Sequence, residues 1–199
     1  MIHVMNAKQL AQSFASLRAI PIRMGYRIAC RIMGKDRAFS ALSEKLSSHQ
    51  GMMGLYLRQA CYRQILEHVG KDVYLGYMTQ FSKTTAWIGD RVYLGRFCTV
   101  GAVCIEDDVM CADNVQLLSG AHQHGDIASD GILRENEHLY QTITIGRGAW
   151  IGAGAIVMAD IGEGAIVGAG AVVTKPVAAG DRVAGVPARS IIKPVSQAA

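Results

Sequence analysis

Ile145-Gly146-Arg147-Gly148-Ala149-Trp150 is followed at once by Ile151-Gly152-Ala153-Gly154-Ala155-Ile156. After a short irregular step, Val157 to Asp160, come Ile161-Gly162-Glu163-Gly164-Ala165-Ile166 and Val167-Gly168-Ala169-Gly170-Ala171-Val172. Each unit has six residues, an aliphatic leader and a small residue four positions later. A fixed short period of this kind marks a repeat architecture, in which successive units stack. The leader and the small residue are expected to point into a thin core. The residue after the leader, glycine or short and polar, is expected at a sharp corner with little steric room.

Working back toward the N-terminus, the same register runs through Ile88–Tyr93 and Leu94–Thr99, then a unit one residue short from Val100. Ile105–Met110 and Cys111–Gln116 follow, making eight full hexads in all. Three hexads return the chain above its start, so the expectation is a three-sided column of stacked parallel strands. Val73 to Ala86 is a weaker leading section and is expected to form the first coil. Gly146-x-Gly148 and Gly162-x-Gly164 imitate pieces of a dinucleotide fingerprint, but no βαβ unit surrounds them and they read as hexad corners.

Residues 1–70 lack hexads. Stretches around 7–18, 22–33, 37–48 and 52–68 have helix-compatible spacing, punctuated by Pro21, Gly34 and Gly51. These helices are expected to cap the open end of the column, whose strand edges would otherwise be unpaired. The division is then a helical region at 1–70, a β-helix at 71–192 and a C-terminal tail at 193–199.

Charge follows the same division. Residues 1–70 carry ten Lys/Arg against three Asp/Glu, and the remainder ten against thirteen. The basic end fits either an anionic partner (membrane surface, acidic glycan or nucleic acid) or a solvated basic helix face. Of these, the amphipathic stretch 22–33, with Arg23, Arg27 and Arg31 every four residues, fits peripheral membrane contact, and nucleic acid is not expected. The five cysteines, Cys30, Cys61, Cys98, Cys104 and Cys111, form no CxxC pair and read as reduced thiols. With neither a leader nor an apolar span in the sequence, a cytoplasmic protein is expected.

The one long break is 119–142, opening Ser119-Gly120-Ala121-His122-Gln123-His124-Gly125-Asp126. Loops of this length in compact repeats are usually functional. The hexads resemble the hexapeptide-repeat acyltransferases, whose fold is a left-handed parallel β-helix. Ser119–His124 is similar to the active-site loop of the polysaccharide and sugar O-acetyltransferase branch. Gly148–Gly152 is similar to its Trp-Ile-Gly coil, and Val172–Val177 with Gly185–Arg189 to its closing segment. Gly54–Arg63 resembles the helical lead-in of capsular and exopolysaccharide members.

The resemblance implies a homotrimer that transfers an acetyl group from acetyl-CoA to a sugar hydroxyl, without a metal or an acyl-enzyme. It implies a histidine base, His122 by the wider superfamily pattern or His124 by that of the polysaccharide branch. Asp126 would orient the base or contact the acceptor, and Trp150 would wall the pocket. Gly152, Ala153 and Ala171 would allow close approach of CoA, with Lys175 and Arg182 or Arg189 on its phosphates. Three histidines can bind zinc, but the spacing of His122, His124 and His138 does not match the β-helical carbonic anhydrases. Two other readings fit the same residues: a small-molecule acetyltransferase acting on serine or an antibiotic, and a non-catalytic trimeric scaffold.

Overall fold

The computed structural model describes residues 6–120 and 141–191. Three helices lead, α1 (Ala7–Met33), α2 (Lys35–Ser47) and α3 (Gly51–Tyr62), and short parallel strands follow. The strands stack into a mainly β solenoid of about five turns.

Its first face consists of β1 (His68–Val69), β4 (Trp87–Ile88), β7 (Val103–Ile105) and β10 (Ile143–Ile145). The second face runs β2 (Tyr74–Leu75), β5 (Tyr93–Leu94), β8 (Met110–Cys111), β11 (Trp150–Ile151), β13 (Ile166–Val167) and β15 (Arg182–Ala184), with β16 (Arg189–Ser190) added antiparallel. The third holds β3 (Gln80–Phe81), β6 (Thr99–Val100), β9 (Gln116–Leu117), β12 (Ile156–Val157) and β14 (Val172–Val173).

Every hexad leader and every residue four positions on is buried, from Ile88 and Val92 to Val167 and Ala171. The coils are not alike, however. Val69 and Ile88 are in register 19 residues apart, Ile88 and Ile105 17 apart, and Ile145, Ile161 and Val177 16 apart. The second core position changes with them, from Val92, Cys98, Val109 and Val115 to alanine at 149, 155, 165 and 171.

The corners correct the sequence reading. The backbone turns into the left-handed region three residues after the leader, not one. That position is Arg91, Phe97, Asp108 or Asn114 in the early coils and Gly148, Gly154, Gly164 or Gly170 in the late ones. The glycine right after the leader serves another purpose: the next coil's backbone lies against it. A Cβ on Gly95 would sit 2.6 Å from the Ala112 carbonyl carbon and 2.7 Å from the Asp113 nitrogen, whereas one on Gly148, at φ +66°, would meet nothing within 4 Å. Gly95→Ala should therefore cost about 2 kcal/mol through overpacking, and Gly148→Ala about 1 kcal/mol through backbone strain alone. Denaturant melts of the two variants test the order.

Aspartates stitch neighbouring coils together. Asp90 accepts from Lys71 N–H at 2.7 Å, Asp107 from Asp90 N–H at 2.8 Å, and Asp113 from Arg96 N–H at 2.8 Å. Arg91 grips Asp108 with both guanidinium arms, at 2.6 and 2.8 Å, holding that carboxyl below its ordinary range.

The helices close the column as the sequence leads one to expect. Arg58 Nε donates to Leu75 O at 3.1 Å and Gln59 Nε2 to Val73 O at 2.5 Å, while Phe81 N–H donates to Ser43 Oγ at 2.8 Å. An aromatic chain, Tyr26, Phe39, Tyr62 and Phe81, runs edge to face from α1 into the first coil. Pro21 does not divide the first two helical stretches, because α1 passes through it. The proline faces solvent, where water can satisfy the carbonyl that its missing N–H leaves free. Among the described residues, no helix is long and apolar enough to cross a membrane.

Candidate active site

The long break leaves the column between β9 and β10, at the corner joining the third face to the first. Its two ends are tied: Gln141 N–H donates to Ser119 O at 3.1 Å, and Ser119 Oγ accepts from Ala102 N–H at 2.7 Å. Gly120, the next residue, has φ +85°, a conformation that glycine adopts without strain. The segment thus leaves and rejoins the column at one fixed point. His122, His124 and Asp126 lie outside the described residues, as does His138.

Lys175 stands at the same corner, two coils further on and exposed. At about 4.8 Å per strand spacing, it is roughly 10 Å along the column from Ser119. The other candidates lie elsewhere. Trp150 is 52% exposed and projects from the second face, across the prism from the corner that roots the histidine segment. Arg182 follows two strands along that face through Ile166, and Arg189 is carried by the antiparallel β16. One copy of the chain therefore splits the candidates between two sides of the column.

Gly152 and Ala153 occupy the corner between the second and third faces. A Cβ on Gly152 would lie 2.5 Å from Ala169 N. Ala153 is exposed, and among the described residues its N–H has no acceptor. The position above it, which a carboxylate fills where Asp113 sits above Arg96, holds the methyl of Ala169. This edge offers a free amide donor with no bulk around it, which suits an extended ligand rich in amide carbonyls, as pantetheine is.

Ala171 is a correction. Its side chain is fully buried, its N–H donates to Gly168 O, and its carbonyl accepts from Ile156 N–H. Its small size serves the core, and it has nothing to offer a ligand.

An outward ladder on the second face escaped the sequence reading. Tyr74 and Tyr93 stack with ring centroids 4.7 Å apart, and Met110 and Trp150 continue the row. Each of these residues immediately precedes a hexad leader, so alternation across the strand would have found them. No metal-binding cluster occurs among the described residues. The buried thiols are poor nucleophiles: burial pushes Cys61 up to about 11 and raises Cys98 and Cys111 as well.

No family model and no curated protein sequence matches the chain. Solved structures do. A maltose O-acetyltransferase from Clostridium difficile 630 superposes with a TM-score of 0.67 at 26% identity, over 80% of this chain and 86% of that one. A galactoside acetyltransferase in complex with coenzyme A gives 0.63 at 24% identity, over 79% and 81%. A hexapeptide-repeat acetyltransferase from Vibrio cholerae, complexed with acetyl coenzyme A, gives 0.62 at 18% identity, over 79% and 87%. The architecture is that of the hexapeptide-repeat acetyltransferases.

Proposed function

We propose that this chain is a cytoplasmic acetyl-CoA-dependent O-acetyltransferase acting on a sugar hydroxyl in surface or exopolysaccharide synthesis, with its active site between copies of a homotrimer. The broader class, an acyltransferase using acetyl-CoA, rests on the shared fold and on the likeness to the Clostridium enzyme. The observation that carries the rest is the pinned root of the histidine segment. A break tied at both ends to one corner of a regular column fits a built catalytic loop better than a tolerated insertion.

In this reading His122 or His124 takes the proton from the acceptor hydroxyl, and the oxygen attacks the thioester carbonyl. The imidazolium then returns the proton to the departing thiolate. The Ala153 amide holds a carbonyl of the pantetheine arm, and Gly152 leaves room beside it. Lys175 of one copy, with Arg182 or Arg189 of its neighbour, meets the phosphates. Asp126 orients the base or the sugar. Trp150 and the segment's root occupy different sides of one column, so threefold packing supplies the simplest way to bring a tryptophan of one copy to the histidines of the next. A lipid-carried acceptor would approach the helical end, where residues 22–33 offer peripheral membrane contact.

Following CoA thiol release with sugars, amino acids and antibiotics as acceptors tests the assignment. Turnover is expected with sugars; turnover confined to the other two classes would remove the sugar reading. Trp150→Ala should raise the acceptor KM about tenfold, on the order of 1.4 kcal/mol of lost binding. Because the side chain is half exposed, the melting temperature should barely move.

A further inference from the structure

The first helix has two apolar faces, and only one of them is used. Ala15 and Ala19 are buried against the rest of the molecule, with Ile22 and Tyr26 packed at the margin of the core. On the opposite side Leu10, Phe14, Leu17, Met24, Ile28 and Ile32 are each more than half exposed. Their spacing of four, three, seven, four and four residues keeps them on one line along a helix of 27 residues, about 40 Å long. A soluble surface rarely leaves a continuous strip of that length uncovered.

The charges flanking the strip are of one sign. The helix carries Lys8, Arg18, Arg23, Arg27 and Arg31 and no acidic residue. Lys8 is near Asp72, at 3.8 Å, and Arg18 leans toward the Phe14 ring. Arg23 and Arg27, one turn apart, join Gln64 in lining a cleft of about 270 Å³ beside Ile20 and Met24. A second cleft, of about 530 Å³, shares Ile20, Arg23 and Gln64. Apolar side chains, guanidinium groups and an open cleft thus share one edge.

We propose that this face of α1 is a docking surface for an anionic phospholipid bilayer, with the strip lying in the interface and Arg18, Arg23, Arg27 and Arg31 on the lipid phosphates. Charge complementarity selects this occupant. Pairing two copies of α1 would set cations against cations with no acidic residue between them, whereas an anionic bilayer supplies both an apolar layer and the opposite charge. The proposal extends the contact offered at 22–33 to nearly the whole helix, and it stands whether or not the chain transfers acetyl groups.

The test is sedimentation of the full-length protein with phosphatidylcholine vesicles with and without phosphatidylglycerol, with light scattering on the same samples. Partitioning should be at least tenfold stronger on the anionic vesicles and should weaken with salt. Leu17→Ser/Ile28→Ser and, separately, Arg23→Gln/Arg27→Gln should each reduce it at least tenfold at unchanged circular dichroism. Equal binding to both vesicles, or to neither, would overturn the proposal. So would a fall in oligomer size in Leu17→Ser/Ile28→Ser, which would assign the strip to a second copy of the chain.

Discussion

Removing both histidines of the interrupting segment, His122→Ala/His124→Ala, is expected to lower kcat with a sugar acceptor by about two to four orders of magnitude. A hydroxyl is a weak nucleophile at neutral pH, and no buried cysteine can replace it through an acyl-enzyme. Cys98 and Cys111 are enclosed in the core, and Cys104, half-buried on β7 beside the root, has its thiol pushed up by burial and by Glu106 and Glu67. The single variants divide the roles: the base should carry most of the loss, and its neighbour less than about tenfold. In the wild type, kcat/KM should rise with pH as the base loses its proton, and that limb should vanish in the variant lacking the base. On the proposed reading acetyl-CoA affinity by calorimetry should hardly change, since neither histidine is assigned to its binding. Wild-type turnover in the double variant would end the general-base reading.

Arg58→Met should be the most damaging single change for stability, costing roughly 3–5 kcal/mol. That corresponds to a fall in melting temperature of roughly 8–15 °C for a chain of this size. Arg58 is 2% exposed at the junction between helices and column. It donates to His49 O at 2.6 Å, past the end of α2, and to Leu75 O at 3.1 Å, in the first coil. Burial lowers its pKa, but the guanidinium remains charged. Methionine fills most of the space, so the loss would report two stranded carbonyls rather than a cavity. Arg58→Lys should recover only part of it, because one ammonium cannot reproduce a fork directed at two elements. A loss below about 1 kcal/mol in Arg58→Met would mean that the helical cap is held chiefly by the Tyr26–Phe81 aromatic chain.

The column was readable because one rule recurs: a leader and the residue four places on must both face a core too thin for anything larger. Local chemistry hid the corners. Left-handed backbone at Arg91 or Phe97 cannot be guessed from side chains that ordinarily avoid it, and only the late coils reveal the position through glycine. Pro21 read as a boundary because its ring and missing N–H usually end a helix, yet on the solvent side the chain tolerates it. The site was only partly legible. Trp150 and Arg182 were chosen by likeness to a family pattern, and that pattern does not say which side of one subunit they occupy. Smallness at a groove and smallness in a core look identical in sequence, and the structure puts the Ala171 side chain in the core.

The stepwise shortening of the register, from 19 to 17 to 16 residues, together with the change from valine to alanine inside, makes the coils unequal modules. A duplicated coil therefore fits only among neighbours of its own register length and interior. A copy of residues 145–160 inserted before Ile161 would meet neighbours of its own girth and bond to them strand for strand. A copy of 88–104 in the same place would press valine and cysteine against a bore lined with alanine, whereas before Ile105 it would meet coils of its own kind.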